Sequence, residues 1–320
     1  FLEIYILYIL ETIQLISYGL SEPHLNTWKE NNKTLKNVSD IISITRITSL
    51  MKFVKFDVYI IIFFILIFFI FAFCIFLSVQ ILFFKQEIKF FVNSITIIRN
   101  LIYPISIFLY IPITELVLLP LKCNSENKVD IVQDGIKCWE NLHYLYSILG
   151  IISALLFSLG MFFLLNLFYY PFNYHDSSIR VQSHNDIIFL FIKFIFALRF
   201  ILVKNEYLSI AILVLFSLYA LIQEFYEHSF NNKRIEIFVN IKYFLSFWTY
   251  IILLLAKFFE GTKINGFIYI FCFGIPIIII CCILLVNEHE TNFDYSTTTV
   301  NNCKEYILKK NIFFLQLYFF

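Results

Sequence analysis

Long runs of apolar residues separated by short polar turns dominate the chain, and eight segments follow from that pattern. The clearest spans residues 58–84, where no charged residue falls between Asp57 and Lys85. Further segments are expected near 101–121, 144–170, 187–203, 207–222, 238–259 and 264–286. The first segment, residues 1–20, is weaker as a span because it carries Glu3, Glu11 and Gln14, which suit an interfacial or bundle-buried helix equally well. About 20 apolar residues in a helix match the roughly 30 Å hydrocarbon thickness of a bilayer. The expected fold is therefore all-α, a polytopic transmembrane bundle of about eight helices over residues 1–286. A polar, cytoplasmic tail is expected over 287–320.

Several segments carry local detail. Residues 101–121 contain Pro104, Pro112 and Pro120, which spanning helices tolerate because neighbours re-satisfy the freed carbonyls. Residues 144–170 contain Gly150, Ser153, Ala154, Ser158 and Gly160, small residues that let helices approach closely. Only Lys204, Asn205 and Glu206 separate the fifth and sixth segments, so the two form a tight antiparallel hairpin or one is incompletely inserted. Residues 38–56 are amphipathic enough to lie on a membrane surface.

Composition strengthens this picture. The chain is 60% hydrophobic and 15% charged, against about 25% charged in soluble domains, an apolar excess that lipid accommodates and a soluble core does not. The net charge of +1 gives no field to recruit nucleic acid. The expected partners are the bilayer, other membrane subunits or a cytoplasmic continuation of the same chain. Residue 1 is Phe and residues 313–320 have no polar finish, so a fragment of a longer protein is expected.

Lys and Arg divide almost evenly between the two sides and leave orientation open. Asn32 and Asn37 begin glycosylation sequons, and Cys123 and Cys138 flank a loop they could close by a disulfide in an oxidising compartment. An eight-span topology puts both loops on one side and the tail in the cytosol. By chance an Asn-rich chain also makes sequons, and the cysteines can equally stay reduced. Cys281 and Cys282 are palmitoylation candidates near a membrane face.

No phosphate loop, HExxH, GxSxG or CxxC occurs, and no enzymatic reaction, cofactor or metal is expected. His175, Asp176 and His184 share a loop that reads as solvated. The intramembrane charges Glu115, Lys193 and Arg199 are the chemical candidates, because a charge in lipid is costly unless paired or hydrated. Six residues turn a helix by about 600°, so Lys193 and Arg199 point roughly 120° apart and cannot share one pore stripe. Arg199 and Lys204 are expected to snorkel to the interface. Glu115 is expected to face the bundle, with Lys193 its preferred partner.

The order of several short pieces resembles the membrane region of the tiny macrocysts protein B-like family of protists. These are residues 11–18 (ETIQLISY), Trp28, residues 111–115 (IPITE), Cys123, the Cys138-x4-His143 pair, residues 170–180 and residues 273–279. That resemblance implies a multi-pass region joined to a long cytoplasmic part, often with a PAS-like sensor module, and supplies no catalytic residues. Two functions follow: the membrane region of a sensor, signalling or scaffold protein, or an ion channel or transporter with Glu115 in its path.

Overall fold

The computed structural model describes residues 2–19, 51–85, 102, 104–123, 129, 137–140, 142–168, 183–203, 205–226 and 233–258. The chain divides into two compact units, residues 1–278 and 279–320, and every described residue belongs to the first. The eighth segment, the tail, Asn32, Asn37, His175, Asp176, Lys204, Cys281 and Cys282 lie outside the described residues.

Among the described residues seven α-helices form, each on one of the apolar segments: α1 (Leu2–Gly19), α2 (Phe56–Lys85), α3 (Tyr110–Leu118), α4 (Leu142–Phe168), α5 (Ser183–Leu202), α6 (Glu206–Tyr226) and α7 (Lys233–Phe258). A π-helical turn, Ile105–Leu109, leads into α3, and a 3-10 turn, Leu119–Leu121, leaves it. Among the described residues there is no strand, only isolated bridge positions such as Cys123 with Val129. Four helices are long and apolar enough to cross a membrane: within α2, α4, α6 and α7. Residues 105–121 form a shorter apolar helix, and α1 and α5 are not among the four. Against an expectation of about eight crossings, the described residues hold four candidates.

Outward faces support a lipid surround. Phe68 and Phe69 on α2 are 69% and 63% exposed, and apolar residues of α4 such as Ile148 and Leu159 also face out. Such continuous apolar surface suits lipid and not water. Between helices in lipid there is little hydrophobic drive, so close packing and hydrogen bonds hold the bundle. The small face of α4 supplies the closest approach: a Cβ on Gly150 would lie 2.5 Å from the Val117 carbonyl oxygen. Nearby, Tyr110 and Ser158 share a hydroxyl hydrogen bond of 2.8 Å, and Ser158 bonds back to Ala154. Helix α3 therefore packs over Gly150 and Ser158, while Gly160 faces Leu77 and Phe73 of α2.

Helix α5 is central, packing on α3, α4 and α6. It contributes Phe189, Ile192 and Phe196 to a core shared with α1, α6 and α7, and Leu190 and Ile201 to a second core with α2, α3 and α4. The α5–α6 connection is the tight turn expected. Asn205 caps α6, its Oδ1 accepting from the N–H groups of Tyr207 (3.0 Å) and Leu208 (3.3 Å), as Asn does at helix starts.

The prolines explain the third segment. Proline has no N–H to return to the carbonyl four residues earlier. Pro112 therefore orphans Phe108, and Pro120 orphans Leu116. Each carbonyl is answered from another helix. Gln14 Nε2 of α1 donates to Phe108 O at 3.2 Å, and Tyr59 Oη of α2 donates to Leu116 O at 3.0 Å. In the π register, Pro112 also fails to serve the Ile107 carbonyl, and that oxygen becomes part of the site below.

Candidate functional site

Helix α1 is buried in the bundle through its polar face. Glu11 and Gln14 are three residues apart and so share one side of the helix. Glu11, only 1% exposed, meets a lysine on each carboxylate oxygen. Lys193 Nζ of α5 lies 2.5 Å from Oε1, and Lys242 Nζ of α7 lies 2.8 Å from Oε2. Both lysines are buried, at 6% and 2% exposure.

An ammonium has three donors. Those of Lys193 face Glu11 Oε1, Ser106 O at 2.8 Å and Ile107 O at 3.3 Å. The last two oxygens belong to the π turn, where irregular helical geometry leaves carbonyls open to side chains. Lys242 sits 4.1 Å from the Tyr243 ring centroid and 4.9 Å from that of Tyr8, so aromatic faces complete its surroundings. A cavity of about 30 Å³ adjoins the cluster, lined by Tyr8, Glu11, Ser106, Asp186, Lys193 and Lys242 among others. That is room for a water molecule or two, and polar walls favour one.

Removing an ion from water costs several kcal/mol after relaxation, so such a cluster persists only with good geometry and satisfied donors. The neutral alternative, an apolar core, would hold three helices together at least as well. A carboxyl and two amino side chains converging from α1, α5 and α7 on a distorted turn make this the candidate functional centre.

The sequence-derived candidates divide. Lys193 belongs to this centre, but its expected partner is corrected: its ammonium goes to Glu11 and not to Glu115. The reason is depth. Glu115 is eight residues beyond Ile107, about 12 Å along a helix axis. Glu115 itself is completely buried in α3, on the interior side. Arg199 is also corrected. It does not snorkel to an interface but is buried, its Nε donating to Ser209 Oγ at 2.5 Å. The short α5–α6 turn folds Ser209 back over the end of α5, which gives the guanidinium a partner inside the hairpin.

Glu11 and Lys242 were not recognised as site residues from the sequence. Glu11 counted only against the first segment as a span, and Lys242 was passed over within 238–259. Their signal was present: each is a lone charge in an apolar helical run. What the sequence could not show was their pairing across 231 residues.

A second arrangement sits at the end of α4. Cys123 and Cys138 form a disulfide with a Cα–Cα distance of 6.3 Å. His143, fully buried, lies against it. Its Nδ1 accepts from the Trp139 backbone N–H at 3.0 Å, so Nε2 carries the hydrogen and donates to Pro120 O at 2.8 Å. The imidazole thus ties the disulfide loop to the 3-10 turn after α3. Trp139 adopts φ 63°, the left-handed region that a non-glycine residue enters only when held there. The ligand atoms of Cys123, Cys138 and His143 lie within 4.8 Å of one another, but both sulfurs are spent in the disulfide and offer no thiolate to a metal.

No family model, no curated protein and no solved structure matches the chain.

Proposed function

We propose that the chain is a multi-pass integral membrane protein of about eight membrane helices, the membrane region of a sensor, signalling or scaffold protein. The observation that carries this reading is the Glu11 carboxylate held between Lys193 and Lys242. Glu11, Lys193 and Lys242 are engaged in fastening α1 to α5 and α7, and the adjoining cavity of about 30 Å³ is the size of a water molecule or two. An ionic fastening of this kind can hold one helix arrangement and release another, which is what a sensor domain requires. No enzymatic reaction is proposed.

The Cys123–Cys138 disulfide supports placing its loop, together with Asn32 and Asn37, in an oxidising compartment. The resemblance to the tiny macrocysts protein B-like family stays a proposal. Its support is the order and spacing of the short sequence pieces that carry it.

A channel or transporter is the second reading, favoured by one observation: Glu115 is completely buried in a proline-broken segment, where transporters place ion sites. Reconstitution separates the two. Proteoliposomes of the full chain are loaded with potassium-, sodium-, chloride- and proton-sensitive dyes. The sensor or scaffold reading expects fluxes equal to those of protein-free liposomes. A flux that Glu115→Gln abolishes would replace that reading with transport.

A further inference from the structure

The surroundings of the Lys193 ammonium are those of an ion. Its nitrogen is met by a carboxylate oxygen and two backbone carbonyl oxygens, at 2.5, 2.8 and 3.3 Å. The carbonyls come from a π turn, and Pro112, which has no N–H, cannot serve that of Ile107. Proteins build monovalent-cation sites from such carbonyls, whose dipoles replace the ion's hydration shell. A broken helix within a bundle is where membrane proteins place them.

We infer that the position of Lys193 Nζ is a monovalent-cation site, formed by Glu11 Oε1, Ser106 O and Ile107 O, in which the lysine serves as a tethered occupant. The charge pattern selects the ligand class. Lys242 already neutralises much of the Glu11 carboxylate through Oε2, at 2.8 Å. The three oxygens around the Lys193 nitrogen fall short of the roughly six to eight that calcium takes. A monovalent ion restores the charge that Lys193 supplied. The oxygen distances already suit an ammonium, so ammonium and the similarly sized potassium fit better than sodium. The neighbouring cavity of about 30 Å³ leaves room for a water to complete the shell. This inference goes beyond the functional reading, because the site exists whether the domain senses or transports.

Shortening the lysine tests it. Full-length Lys193→Ala is purified in detergent, and its thermal unfolding is followed in choline, sodium, potassium and ammonium chloride at one ionic strength. The wild-type chain is expected to show one Tm in all four salts. Lys193→Ala is expected to unfold at lower temperature in choline and to recover by roughly 5 °C, saturably, with ammonium or potassium. Lys193→Met, which fills the space with an apolar chain, and Glu11→Gln with Lys193→Ala, which removes the anion, are both expected to show no recovery. If Lys193→Ala yields no monodisperse protein in choline, the recovered yield across the four salts becomes the readout. Equal Tm or yield of Lys193→Ala in all four salts overturns the inference. So does equal cation recovery in the Glu11→Gln, Lys193→Ala double variant, which would make the effect nonspecific.

Discussion

Glu11 and Lys242 are 231 residues apart in the chain, yet Oε2 and Nζ are 2.8 Å apart in the bundle. This contact is one of several that join the first described helix to the last, with the Tyr250 hydroxyl donating to Leu15 O among the others. It turns α1 from a poor membrane span into a buried element.

Loss of one ion should be far more damaging than loss of all three. Lys193→Met leaves the Glu11 carboxylate with Lys242 and takes one donor from the two π-turn carbonyls. It is expected to cost about 3–5 kcal/mol. The triple variant Glu11→Leu, Lys193→Met, Lys242→Met should recover most of that stability. Denaturant titration in mixed micelles compares them.

The carbonyls orphaned by proline give a second test. Tyr59→Phe should cost about 1–3 kcal/mol because the Leu116 oxygen is left buried without a donor. In a Pro120→Ala background the restored N–H can serve that oxygen, and the same substitution should cost clearly less. Gln14→Leu alone and with Pro112→Ala should behave alike. Equal costs in both backgrounds would refute the assignment.

Gly150→Ala should destabilise by about 1–3 kcal/mol, because its Cβ would meet backbone at 2.5 Å and not a side chain that could turn away. Gly160→Ala, whose Cβ would meet only the Leu77 and Phe73 side chains at 3.8 Å, should be close to neutral. Unfolding of the two variants in the same detergent checks the contrast.

Opening the disulfide should lower stability by about 3 kcal/mol for a closed loop of this length. Cys138→Ser and reduction by a dithiol should have equal, non-additive effects on Tm. His143→Ala should add a further loss in either state, since its bonds to Trp139 and Pro120 do not pass through sulfur.

The helices were largely legible in the apolar pattern, since α2 and α4 fall within two residues of the expected segments 58–84 and 144–170. Pattern alone could not separate helices that meet the requirements of a membrane crossing from those that do not. Glu11 and Gln14 make the face of α1 polar, and in a single sequence a polar face reads the same whether it meets water or another helix. Lys193 was found because a lysine amid Phe and Ile is conspicuous. Its partner was misjudged because no sequence feature sets the depth of one helix against another. The π turn at Ile105–Leu109 was hidden too: Pro112 announces missing hydrogen bonds, but which side chain answers them is decided by packing.

The central claim is that Glu11 is held between Lys193 and Lys242 inside the bundle, and a double-mutant cycle on Glu11 and Lys242 tests it most directly. Unfolding free energies are measured for the wild-type chain, Glu11→Gln, Lys242→Met and the double variant in one membrane mimetic. A coupling of about 1.5–3 kcal/mol is expected, as for contacting buried charges. Additive effects, with a coupling below about 0.5 kcal/mol, would place the two residues apart and contradict the account.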